Sequence, residues 1–179
     1  MKQELILTSQ DILEYQTLAI FGSKKARNML KFNTLGIFAE LMIAFFIIEK
    51  LFSIKYLSVA GIVLGVLWLI FYPKFLKQKR LKILKRLKNE NELNKTMFIE
   101  LFDDEFSFYE NEAKERFAYS QITEIYETAG VYVVYIGTLY IILPKPKCEH
   151  IISALAKKSG KYILKFENLN YQNVIEGKF

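Results

Sequence analysis

Residues 56–73 read YLSVAGIVLGVLWLIFYP, and none of them is charged. A helix of about 20 predominantly apolar residues crosses a hydrocarbon core of ~30 Å, and this stretch is close to that length. Tyr56 stands at one end, with Trp68 and Tyr72 toward the other, where interfacial aromatics collect. A helix half-buried in a water-soluble hairpin would carry a polar stripe, and residues 56–71 have none. Upstream, residues 34–52 read TLGIFAELMIAFFIIEKLF, interrupted once by Glu40 and closed by Glu49 and Lys50. Only Ser53-Ile54-Lys55 separates the two stretches. A linker that short predicts an antiparallel helical hairpin.

Lys and Arg orient the hairpin. Lys24, Lys25, Arg27 and Lys31 precede it; Lys74, Lys77, Lys79, Arg80, Lys82, Lys85, Arg86 and Lys88 follow it, and the loop offers Lys50 and Lys55. The positive-inside rule then predicts a multi-pass protein of the cell membrane with both termini cytoplasmic. The N-terminal MKQELILTSQ lacks the apolar core of a signal peptide, so the first span is expected to act as an uncleaved anchor. These flanks hold twelve positive charges and no acid, while the whole chain is +6, so the rest carries −6. The basic character therefore belongs to membrane flanks, and no nucleic-acid partner is expected. The basic residues Lys77, Lys79, Arg80, Lys82, Lys85 and Arg86 would attract anionic lipid headgroups, each worth roughly 1 kcal/mol near the surface. A solvated stop-transfer flank explains them equally well.

One Cys and one His exclude a disulfide framework and a Cys/His zinc cluster, and no metal or cofactor is expected. The chain divides into an N-terminal strand and amphipathic helix (1–32), the hairpin (33–73, spans 33–52 and 56–73), a basic cytoplasmic helix (74–94), an α+β module (95–160) and a C-terminal segment (161–179). In the first, residues 4–7 suggest a brief strand, and Thr8 with Asp11 forms a capping box. The helix that follows suits a membrane surface.

From Thr96 the apolar period becomes two. Breaks at Asp103-Asp104-Glu105, Glu110-Asn111-Glu112, Thr128-Ala129-Gly130 and Gly137-Thr138 delimit a meander of short strands. Pro146 suits the first turn of a closing helix, and Gly160 its end. A module of this size is marginal alone. It is expected to recruit residues 4–7, the segment KYILKFE (161–167), or both. The fold class is thus a membrane α-helical hairpin plus a small α+β cytoplasmic module, an antiparallel sheet or partial barrel capped by one C-terminal helix.

The steps Tyr119-Ser120-Gln121-Ile122 and Leu143-Pro144-Lys145, with the opening Leu7-Thr8-Ser9-Gln10-Asp11-Ile12, resemble the YcxB-like family of bacterial membrane proteins. The family commonly has Trp at the position of Tyr119, and often Gly in the first hairpin where this chain has Asp104-Glu105. The resemblance implies a module of reduced pleckstrin-homology type, with no settled biochemical activity.

For the module core the expectation is Tyr119 buried beside Ile122 and Ile142, with Pro144 at the strand–helix step. Gly61 and Gly65 form a GxxxG that lets a helix approach closely, within the hairpin or in a homo-oligomer. A carboxylate inside a span is costly. Glu40 either stays near the interface or accepts a hydrogen bond from the Trp68 indole across the hairpin. Cys148 and His150 are two apart and do not share a helix face, so they make no catalytic pair. Ser120 lacks a nucleophile's context, and the chain is not expected to be an enzyme. The functional expectation is a membrane-anchored interaction module of scaffolding or regulatory type, with the lipid bilayer and a cytoplasmic protein as partners. The alternative is an oligomeric transport- or channel-related component in which Glu40 is functional.

Overall fold

The computed structural model describes residues 2–90, 95–110 and 114–178. Strand β1 (Lys2–Leu7) and helix α1 (Ser9–Thr17) lead into two long helices, α2 (Lys24–Phe52) and α3 (Leu57–Glu90). Then come β2 (Lys95–Leu101), β3 (Glu105–Tyr109), β4 (Glu115–Ala118), β5 (Ile122–Glu127), β6 (Val131–Ile136) and β7 (Leu139–Pro144). Helix α4 (Lys145–Ser159), β8 (Ile163–Lys165) and α5 (Tyr171–Glu176) close the chain. Residues up to 22 and from 84 onward form one compact unit, and residues 23–83 form another. Asn111-Glu112 of the second expected turn, and the end of the basic helix near Leu93, lie outside the described residues.

In the strand-rich unit β1 pairs antiparallel with β2, Lys2 opposite Glu100 and Leu7 opposite Lys95. The first sheet has the order β1-β2-β3-β4. The second runs β7-β6-β5-β8, antiparallel except that β8 lies parallel to β5. Both candidate recruits, the N-terminal strand and the segment after Gly160, therefore join the module. The strands make two sheets, one of them mixed, and no closed barrel. The single closing helix becomes two, because residues 161–178 return to cover the β5 edge and end in α5. Covering an edge in this way removes unpaired backbone groups that would otherwise template association.

The core lies between the sheets and α4. It takes Leu5, Ile99 and Phe106 from the first sheet, Ile125, Val134 and Leu143 from the second, and Ile151 and Leu155 from α4. A bulge between Ile122 and Glu124 breaks strict alternation in β5. It lets Ile122 and Ile125, three apart, face the same core. The opposite face of β6 is buried too: Val131 and Val133 are 0% exposed. Such burial on both sides explains its unbroken apolar run, VYVVYI. What covers that face is α1, in contact with β6, β7 and α5, with Tyr15 stacked on Tyr140 at 4.0 Å between centroids. This corrects the expectation that α1 lies on a membrane surface: its Leu13, and Leu18 just after it, are buried inside the unit. The capping box forms, Thr8 N–H donating to Asp11 Oδ2 at 2.8 Å and Asp11 N–H to Thr8 Oγ1 at 3.3 Å.

In the helical unit α2 begins at Lys24 behind the Ser23 cap, whose Oγ accepts from Ala26 N–H at 3.1 Å. The long helix thus starts well before residue 33, the boundary expected for the hairpin, since residues 24–32 contain no breaker. It stops at Ser53, where φ is 52°, and Tyr56 adds a second left-handed residue at 67°. Glu49 Oε2 accepts from Ser58 N–H at 2.5 Å, satisfying one of the orphan donors at the start of α3. The two helices pack antiparallel through small residues. A Cβ on Gly61 would lie 2.7 Å from Phe45 Cβ, and one on Gly65 2.6 Å from Phe38 Cε2. Helix α3 passes through Pro73 without ending. Among the described residues one helix, Leu57–Asn89, is long and apolar enough to cross a membrane, and only 11% of its most apolar window is buried, unlike a core helix. The apolar stretch of α2 carries Glu40, Glu49 and Lys50.

Candidate functional site

The strand-rich unit holds an open cavity of about 700 Å³ between α1, the last turns of α3, the β5–β6 turn and the start of α5. Its geometry begins with that turn. Thr128 N–H donates to Val131 O at 2.9 Å, and the Thr128 hydroxyl bridges the same two residues. Gly130 is then held on two sides. Its carbonyl accepts from Lys145 N–H at 2.8 Å, and its own N–H donates to Glu14 Oε1 at 2.6 Å. A Cβ on Gly130 would stand 2.7 Å from Glu14 Oε2, so a side chain there would displace the Glu14 carboxylate. Below the turn, Lys145 Nζ lies 2.6 Å from Glu127 Oε1 and donates to Thr128 O at 3.2 Å. The hydrogen bond to Glu127 holds the Lys145 ammonium above its ordinary range.

Glu14, on α1, is 7% exposed and lines the cavity. Across from the turn, Lys88 of α3 lines it as well, with Nζ 4.9 Å from the Tyr171 ring centroid. Leu13 and Gln10 complete the α1 wall. The opening thus presents a carboxylate, an ammonium, an aromatic face and amide groups. In the sequence Lys88 reads only as a basic flank residue and Gly130 only as part of a strand break, with nothing to place them at one cavity. Glu14 reads there as one polar position of an amphipathic helix, and its partner Gly130 lies 116 residues away. The signal available was Thr128-Ala129-Gly130, visible as a strand break but not as a contact.

The residues expected to matter are distributed otherwise. Tyr119 is 5% exposed and Ile122 1% exposed, and Pro144 is buried where β7 meets α4. The Tyr119 hydroxyl donates to Phe102 O at 2.8 Å, and Lys158 Nζ sits 4.8 Å over its ring. Ile142, however, is not its neighbour. On β7 the residues Ile141 and Leu143 enter the shared core, and Ile142, between them, faces the other way. Phe106 lies beside Tyr119 instead, at 5.5 Å between centroids. The Tyr119-Ser120-Gln121 step is one 3₁₀ turn, its start held by Gln121 Oε1 accepting from Ala118 N–H at 2.9 Å, and Ser120 is exposed. The acidic turn after β2 is pinned by Lys158, whose Nζ donates to Phe102 O at 2.7 Å and Asp103 O at 2.9 Å.

Gly61 and Gly65 meet Phe45 and Phe38 within the helical pair. Of the two placements open for Glu40, the hydrogen bond from the Trp68 indole does not form. Trp68 Nε1 is buried with no hydrogen-bond partner among the described residues, its ring stacked on Tyr72 at 4.2 Å, while Glu40 is exposed. Stacking along α3 turns the indole away from the outer face of α2. Along α3, Lys77, Lys79, Lys82, Lys85 and Arg86 are exposed; Arg80 is half-buried and donates from Nη2 to Ala26 O at 3.1 Å. Arg80 therefore ties the two helices together and is not a free headgroup ligand. Cys148 is fully buried and His150 exposed, on different faces of α4.

No protein-family model, curated protein or solved structure matches the chain. The functional argument therefore rests on the fold and on these geometries.

Proposed function

We propose that this protein is a bacterial inner-membrane anchor that presents its strand-rich unit to the cytoplasm as an interaction module, with a scaffolding or regulatory role and no catalysis of its own. The observation that carries the reading is the β1–β2 pairing. One strand precedes both long helices and the other follows them. If α3 crosses a bilayer, the two strands can share a sheet only if α2 crosses back. Exposed apolar side chains support this on both helices, among them Ile43, Phe46 and Leu51 on α2 and Val63, Leu67 and Phe71 on α3. Flanking basics without acids favour the cytoplasm for both ends. Four strands, then three, then α4 also suit the pleckstrin-type module that the YcxB-like resemblance implies.

The test is crosslinking from the full chain in native membranes. A recurring cytoplasmic protein, captured by the intact chain and lost when Tyr119→Ala unfolds the module, supports the anchor reading. A second reading, an oligomeric transport- or channel-related component, is favoured by Glu40. That carboxylate is exposed on α2, and Gly36, one turn earlier, has open space around it. No recurring partner, together with ion flux through the reconstituted protein that Glu40→Gln abolishes, would support this alternative.

A further inference from the structure

The cavity between α1 and the β5–β6 turn is lined by two opposite charges, Glu14 and Lys88, that no oppositely charged side chain among the described residues neutralises. The Glu14 carboxylate, 7% exposed, takes one hydrogen bond, from Gly130 N–H, and among the described residues no basic side chain pairs with it. A buried carboxylate supported by one neutral donor is poorly compensated for the water it has lost. The protein nevertheless builds the position with care. Gly130 is fixed from the other side by Lys145 N–H, and any side chain there would strike Glu14 Oε2. Lys88 on the facing wall has only the Tyr171 ring beneath its ammonium and no carboxylate partner among the described residues. The volume, about 700 Å³, falls within the ~300–1,000 Å³ of small-molecule sites.

We propose that this cavity binds a small zwitterion of the amino-acid or short-peptide class, its ammonium on Glu14 and its carboxylate on Lys88. A ligand carrying one charge would engage only one of the two walls. A ligand carrying both answers each wall with a charge-assisted hydrogen bond, and the Gln10 amide also lines the cavity. The cavity lies wholly within the strand-rich unit, so the proposal stands apart from the membrane reading.

Isothermal titration of the full chain in nanodiscs tests it, with the twenty free α-amino acids and a series of glycine di-, tri- and tetrapeptides as probes. Saturable one-to-one binding is expected for at least one probe, and the dependence on length separates a free amino acid from a peptide. Acetylating that probe's amine should weaken binding at least tenfold in the native protein but have little further effect in Glu14→Gln. Amidating its carboxyl should do the same with respect to Lys88→Gln. Glutamine at position 14 keeps an acceptor for Gly130 N–H. Should that variant still fail to fold, the exposed Lys88→Gln and the two capped probes decide the matter. Absence of saturable binding across the panel, or binding indifferent to both caps, overturns the proposal.

Discussion

Tyr119 shows how much a single side chain carries here. Its ring lies against Phe106, its hydroxyl reaches Phe102 O, and Lys158 covers its face. Tyr119→Ala should cost roughly 3–5 kcal/mol, as large aromatic core truncations do. Tyr119→Phe should cost about 1 kcal/mol or less, because Phe102 O keeps Lys158 as a donor at 2.7 Å. Denaturant unfolding of both variants, followed by Tyr and Trp fluorescence, checks the contrast. Equal losses would place the energy in the hydroxyl and not in the ring. Cys148 gives a pH prediction. Burial pushes its thiol from 9.0 up to about 11. The unfolded thiol therefore loses its proton first as pH rises, so the unfolded state gains stability relative to the folded one between about 9 and 11. Stability should be fully retained below this window and fall across it, and Cys148→Ala should flatten that slope. At neutral pH, iodoacetamide should modify Cys148 only after unfolding.

Among the elements, β1 is the clearest dependency. Leu5 is 0% exposed in the shared core, and β1 borders β2 over its whole length. The β1 amides that point toward β2 should exchange as slowly as the first sheet itself, since neither opens without the other. Exchange of those amides at the rate of a free peptide would show β1 to be detached. The elements were largely legible in the sequence. Thr8 and Asp11 marked the start of α1, Gly160 with φ 68° the end of α4, and Thr128-Ala129-Gly130 the β5–β6 turn. Those signals act through neighbours in the chain. What stayed hidden depends on distant contacts. The bulge at Ile122/Glu124 and the outward face of Ile142 are set by how the sheets stack. The placement of α1 is set by β6, whose apolar run needed cover on both faces. Trp68 followed Tyr72, one turn along its own helix, and left Glu40 without the partner that depth alone suggested. The cavity was invisible for the same reason, joining Glu14 to a turn 116 residues later.

On the scale of the whole molecule, the chain interrupts one folded unit with another. Residues 23–83 leave the strand-rich unit after Gly22 and return to it at Leu84. The unit that closes around this insertion cannot be completed until both long helices have been made, because β1 waits for β2. If the long helices cross a bilayer, as we propose, such a connection makes the number of crossings even. On that reading charge selects the side, with twelve flanking Lys and Arg against the two at Lys50 and Lys55. Accessibility of the α2–α3 turn to a membrane-impermeant thiol reagent tests both steps at once. Native Cys148 is buried, so Ile54→Cys, half exposed at 48% beside the left-handed Ser53, supplies the reporting thiol. In intact cells that cysteine should label from outside, whereas fluorescent-protein fusions at either terminus should light up in the cytoplasm. Replacing Lys50 and Lys55 by Gln should leave this arrangement intact, since the flanks already dominate. Labelling of residue 54 only after permeabilisation would mean that the turn does not cross. Termini found on opposite sides would require β1 and β2 to be apart, and the first sheet would have to be abandoned with the topology.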